Sequence, residues 1–248
     1  MSELSLDKID PEAAKRIRPF LDEILSSCRE NIHSIHITGT AVTDDFDVKA
    51  SYVNSVIVLK QMDLKFLELT APLGKKYGRH RIAAPLIMTP QYIRTSLDVF
   101  PIEFLDFKLL HTTVFGEDIL ENTEIKKMDL RHQCERDLKS KLIWLRQGYI
   151  SSQGNRKLLT EGFVNSITGY MPLFRGIIVL LGKQPPMKEA DVITALSDAA
   201  TIDTGVFSRV LKEKYDRAKL SLGELNTIFE DYYTATEKLG KIVDEIKE

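Results

Sequence analysis

Short β-branched runs and longer helical stripes alternate through the first half of the chain. Ile17, Leu21, Ile24 and Leu25 recur at helical spacing, predicting a helix over Pro11–Cys28 with Pro11 in its first turn. Pro19 lies inside that stripe and leaves room for a kink or for two shorter helices. Ile35–Thr38 and Val53–Leu59 predict strands, bounded by Gly39 and by Lys60-Gln61. Leu64, Phe66, Leu67, Leu69 and Leu73 predict a helix between Met62 and Lys76, closed by Gly74 and Gly78. Ile82–Met88 reads as a third strand, and Thr89-Pro90 as the cap and first turn of the next helix. Pro101–Phe107 alternates as a further strand, with Val114–Asp118 as the turn that closes the unit.

Beyond Lys126 the pattern changes. Leu130, Cys134, Leu138, Leu142 and Leu145 trace one helical stripe. Asn155–Leu181 predicts a second long helix, kinked at Pro172, and Gly182–Pro186 stops it. Helices over Lys188–Ala200, Val206–Asp216 and Leu222–Ile246 complete a bundle. The fold class is therefore α+β, with a mixed-sheet domain over 1–125 and a helical bundle over 126–248.

Composition narrows the class of partner. A net charge of −2 supplies no basic field, which argues against nucleic acid and against an anionic membrane. The longest apolar run, Gly176–Gly182, is far short of the roughly 20 residues that span a bilayer. Cys28 and Cys134 form no metal-knuckle or disulfide pattern and suit reduced thiols in a cytoplasmic protein. The polar N-terminus lacks the features of a secretory signal. Apolar stripes such as Ile177–Leu181 exceed what one helical layer covers, so a homodimer is expected.

The segment Ile35-His-Ile-Thr-Gly-Thr40, followed after a polar loop by Ser51-Tyr-Val-Asn-Ser-Val-Ile-Val58, carries the chemistry. It resembles the start of the polymerase-beta type of nucleotidyltransferase fold. There a Gly-Ser turn precedes a Ser-Asp-x-Asp strand whose carboxylates hold Mg²⁺. Val114-Phe-Gly-Glu-Asp-Ile-Leu120 resembles the family's turn, and Leu130–Leu138 its first bundle helix. The whole layout resembles bacterial aminoglycoside nucleotidyltransferases and the two-part nucleotidyltransferase/HEPN systems.

The resemblance implies roles. Gly39, Thr40 and Ser51 would meet the phosphates of a nucleoside triphosphate. Glu103 or Asp106, on the Pro101-led strand, would be the third acid that polarises an acceptor hydroxyl. Tyr52 and Asn54 occupy the positions of the two metal-binding aspartates. Tyr is no useful Mg²⁺ ligand near neutral pH, and Asn offers one neutral oxygen where carboxylates are favoured. Asp45 and Asp47 form their own Asp-x-Asp, either a displaced metal site or a solvated loop after the turn. The HEPN Arg-x(4–6)-His motif is missing, since no histidine follows His132. These residues predict a catalytically degenerate protein that binds a nucleotide or a partner. The alternatives are an active Mg²⁺-dependent enzyme moving a nucleoside monophosphate to a hydroxyl, and a structural or regulatory dimer.

Other candidates read as structure. His33 and His36 suit partly exposed structural histidines. Lys75–Arg81 suits a solvated helix end facing its own dipole. Trp144, Tyr149, Phe163, Tyr170 and Phe174 suit inter-helix packing, with a cleft against the first domain as the alternative.

Overall fold

The computed structural model describes residues 3–216 and 220–247. The chain divides into two compact units, Met1–Asp98 with Phe104–Glu124, and Val99–Glu103 with Ile125–Glu248.

In the first unit, Asp10 caps α1 (Pro11–Cys28) by accepting the amides of Glu12 and Ala13. The helix runs on through Pro19 without a break. It is followed by β1 (Ile32–Thr38), β2 (Asn54–Leu59), α2 (Leu64–Gly78) and β3 (Leu86–Met88). Then come α3 (Pro90–Ser96), α4 (Pro101–Leu109) and β4 (His111–Gly116). The sheet order is β3-β2-β1-β4, with β1 antiparallel to both neighbours and β3 parallel to β2. The parallel pair is joined through α2, the crossover that such a pair needs. Ile35, Ile37, Ile57 and Leu59 pack with Ile17, Leu21 and Ile24 of α1 in one apolar cluster. Lys76 and the Tyr77 hydroxyl both meet the Glu23 carboxylate, so part of the basic run ties α2 to α1.

In this unit three sequence expectations need correction. Pro101–Phe107 is the helix α4, not a strand. Pro101 suits a first turn, Glu103 suits the positive end of the helix dipole, and seven residues cannot separate a period of 2 from 3.6. The fourth strand lies instead at His111–Gly116 and takes in much of the predicted turn. A bulge opposite Ile35 and His36 leaves Val114 unpaired. Gly116 ends the strand at φ +80, where an added Cβ would stand 2.1 Å from the His33 carbonyl. Ile82–Met88 shortens to Leu86–Met88 because Pro85 has no amide for a ladder; Ile82 keeps one isolated bridge to Val53.

The second unit is helical, with no strand among its described residues: α5 (Lys127–Ser152), α6 (Arg156–Thr168), α7 (Met171–Leu180), α8 (Glu189–Ala200), α9 (Gly205–Asp216) and α10 (Leu222–Glu245). The long helix predicted over Asn155–Leu181 is two helices bent by 47°. Pro172 sits in the first turn of α7 and cannot bond the Thr168 carbonyl four residues back, so α6 ends there. Tyr170, Phe174, Phe207 and Tyr232 form an aromatic core with ring centroids 4.8 to 5.6 Å apart. No single helix among the described residues is long and apolar enough to cross a membrane.

Candidate functional site

Antiparallel pairing brings the end of β1 and the starts of β2 and β4 to one edge of the sheet. Thr38 pairs with Asn54 on one side and His111 on the other. Paired residues share a face, so these three line up, with His36, Val56 and Thr113 one step below. The chain leaves β1 at Gly39 with φ +74. A Cβ there would stand 3.5 Å from Asn54 Nδ2, an ordinary contact, so backbone conformation and not space selects glycine. The Gly39 amide donates to the Leu110 carbonyl at 3.0 Å and is already used. The Thr40 hydroxyl and the Asn54 amide have no partner among the described residues.

The remaining predicted site residues are spread out. Ser51 Oγ accepts the Asp47 amide at 3.0 Å, and Asp47 Oδ1 accepts those of Lys49 and Ala50 at 2.7 and 3.3 Å. Asp47 and Ser51 thus shape the loop that leads into β2. Asp45 lies on the same loop, its amide bonded to Thr43 Oγ1 at 3.2 Å. Two arginines fasten this loop from outside. Arg16 donates to the Val48 carbonyl at 2.6 Å, and Arg81 to that of Ala50 at 3.1 Å. The Arg81 guanidinium also stands 5.5 Å over the half-exposed Tyr52 ring. Glu103 and Asp106 ride on the helix α4 and not on a strand beside β2. Glu103 belongs to the second unit and accepts the Gln133 side-chain amide at 2.7 Å. The strand that does flank β2 is β3, and its Leu86, Ile87 and Met88 include no acid.

Beneath Thr38 lies a polar network that the sequence did not reveal. His36, expected to be partly exposed, is 0% exposed. Its Nε2 lies 2.9 Å from Ser34 Oγ and its Nδ1 2.8 Å from Thr113 Oγ1. Each ring nitrogen of His36 thus meets a hydroxyl that can either donate or accept. Beside them the Asp118 carboxylate takes His111 Nε2 at 2.9 Å and accepts the amides of Leu120 and Glu121. Burial, helped by the neighbouring His111 and opposed by Asp118, holds the His36 pKa down at about 4. Burial pushes the Asp118 pKa up, but bonds from Thr113, His111 and the Glu121 amide outweigh it and bring it below the usual carboxylate value. Ligand atoms of His36, His111 and Asp118 lie within 4.8 Å of one another, the one such group among the described residues. Each is also hydrogen-bonded, so the three groups form one polar network. Only β4 brings His111 and Asp118 to His36, and β4 was misplaced in the sequence.

No protein-family model matches the sequence, and no curated protein matches it. Among solved structures, the chain is similar to spectinomycin adenyltransferase AAD(9) from Enterococcus faecialis, crystallised with ATP and spectinomycin. The TM-score is 0.56 at 14% identity, covering 92% of this chain and 98% of that one. The chain has a nucleotidyltransferase-like fold, a mixed sheet with flanking helices followed by a helical region. The mouth offers a neutral amide at Asn54 and a phenol at Tyr52, and β3 adds no carboxylate.

Proposed function

We propose that this protein binds the phosphates of a nucleoside triphosphate at the Gly39 turn without transferring the nucleotide. The observation that supports this most directly is the pairing of Thr38 with Asn54, which sets an uncharged amide at the mouth beside the glycine turn. The unpartnered Thr40 hydroxyl and Asn54 amide are suited to phosphate oxygens. Arg81, stacked on Tyr52 two residues from Asn54, adds a fixed cation against the loop that leads into β2. Such a site needs no metal to attract an anion, and it lacks what a metal needs. Metal clamps supply several kcal/mol of transition-state stabilisation in phosphoryl transfer, and a hydroxyl and an amide do not replace them.

The test is incubation with labelled ATP, GTP, CTP and UTP, with Mg²⁺ or Mn²⁺, in the presence of aminoglycosides or of the protein alone. The expected result is no label transfer, together with weak binding that depends little on the metal. Transfer by the wild type that Asp45→Ala or Asp47→Ala abolishes would establish an active enzyme with a displaced metal site. Transfer lost only on changing Glu103 would point to a reduced site built on that acid.

A further inference from the structure

The second unit contains a cavity of about 430 Å³ lined by α5, α6 and α10, independent of the nucleotide site proposed above. That volume lies within the range of small-molecule sites, roughly 300–1,000 Å³. Its room comes from glycines. An added Cβ on Gly148 of α5 or Gly162 of α6 would meet nothing within 4 Å. Glycine weakens a helix interior relative to alanine, so this space is accompanied by a loss of helix stability.

The walls are aromatic. Trp144 and Tyr149 come from α5, Phe163 from α6 and Phe229 from α10. Tyr149 and Phe229 stack with centroids 4.3 Å apart, and the Tyr149 hydroxyl donates to Asn226 at 3.2 Å, which fixes that ring. One charged residue lines the cavity. The Lys141 ammonium stands 4.1 Å over the ring of Tyr170 and makes no hydrogen bond or ion pair among the described residues. Burial pushes the Lys141 pKa down, and Asp137, one turn earlier on the helix, opposes this through space only. A partly buried cation that makes no ion pair or hydrogen bond, with Asp137 acting on it only through space, favours an anion, and flat aromatic walls favour a ring system. A neutral occupant would leave the ammonium without an acceptor. A triphosphate would bring several charges to a single cation.

We propose that this cavity binds a small aromatic monoanion, its ring system against the aromatic walls and its carboxylate or sulfonate on Lys141.

Trp144 is the chain's one tryptophan, so its emission reports occupancy directly. The full chain is titrated with anilinonaphthalene sulfonate and, separately, with uncharged phenylnaphthylamine. The expected result is saturable sulfonate binding, one probe per chain, that quenches Trp144. Gly162→Leu and Gly148→Leu each add a side chain whose Cβ meets nothing within 4 Å, and are expected to abolish it while the helical circular dichroism stays unchanged. Lys141→Met is expected to weaken the sulfonate about tenfold, the size of one charge-assisted bond, and to leave the uncharged probe unaffected. Sulfonate binding that survives both glycine variants, or that Lys141→Met leaves unchanged, overturns the proposal. So does a chain that is dimeric in sedimentation, with Trp144 shielded from iodide before any probe is added, because a second copy then occupies the cavity.

Discussion

The two faces of β1 are equally buried and chemically opposite. Ile35 and Ile37 point into the apolar cluster with α1, where the one buried polar neighbour in register is Ser55, whose hydroxyl has no partner among the described residues. Ser34, His36 and Thr38 alternate with them and face Asn54, Thr113 and His111. Burial on the first face stabilises through area and close packing. On the second it is tolerated where Ser34, His36, Thr113, His111 and Asp118 bond one another. A face of isoleucines would hold a sheet together more simply. The polar face therefore contributes something other than stability: a bonded, rigid floor directly below the Gly39 turn.

The apolar face should show the largest effect when disturbed. Ile37→Ala or Ile57→Ala removes most of a fully buried side chain and leaves a cavity, a loss of about 2–5 kcal/mol. Urea unfolding followed by circular dichroism measures it. Thr38→Val, on the same strand but the other face, is expected to change stability by less than about 1.5 kcal/mol. Equal losses at Ile37 and Thr38 would break the comparison.

The polar face should respond to acid. The folded chain holds His36 neutral down to a pKa of about 4, whereas its ordinary value is 6.5. Between those values the unfolded chain binds the proton first, so stability rises with pH across the window and is lost as pH falls from 6.5 towards 4. The full loss is on the order of 3 kcal/mol. Asp118 acts lower down. Its folded pKa is depressed below the ordinary 3.8, so its contribution persists above that value and is lost as pH falls further. Unfolding midpoints across mildly acidic pH should fall steeply for the wild type and only slightly for His36→Leu. Parallel slopes would mean that His36 is not the group responsible.

The apolar face was also the more legible one. Ile17, Leu21 and Ile24 at helical spacing, and the β-branched runs around Ile35 and Ile57, announce their elements without reference to distant residues. The Gly39 turn and the start of β2 were readable for the same reason, because turn chemistry and β-branching are local. His111-Thr-Thr113 gave no such sign. It is a strand because β1 pairs with it, His36 offering Thr113 a polar partner, and β1 lies over 70 positions earlier in the chain. Missing β4 meant missing the network, and it also left Pro101–Phe107 to fill the place of a strand. Tyr52 and Asn54 could be placed by their spacing from Ser51, but the stacking of Arg81 on Tyr52 could not, since it depends on how the loop folds back.

The network itself can be taken apart. His36→Leu alone takes one buried partner from each of the Ser34 and Thr113 hydroxyls and should cost about 1–3 kcal/mol. Adding Ser34→Ala and Thr113→Val removes both hydroxyls, and most of that loss should be recovered. A triple variant that is stable yet has lost nucleotide affinity would show that the polar floor acts through positioning. If the triple variant is no more stable than the single one, the network is a structural element and the contrast between the faces is one of composition only.

The smallest expected effect falls at the mouth. Wild-type affinity for ATP should be nearly the same with Mg²⁺ as with a chelator, because Asn54 and Tyr52 supply no carboxylate. Tyr52→Asp with Asn54→Asp would put two carboxylates two residues apart on one side of an extended strand, the arrangement that hard divalent cations favour. The double variant should then bind ATP a few-fold more tightly with Mg²⁺, a difference of about 1 kcal/mol, and more weakly without it, since the new charges repel bare phosphate. Calorimetric titration of both proteins, with the metal and with the chelator, gives the four affinities required. Thr40→Val, which removes the unpartnered hydroxyl, should weaken ATP a few-fold in either background. A double variant with no metal dependence, together with a Thr40→Val variant that binds as the wild type does, would place any nucleotide elsewhere on the chain. Metal dependence in the double variant alone would localise the site to the edge where Thr38, Asn54 and His111 line up, and would tie the missing Mg²⁺ requirement to two side chains.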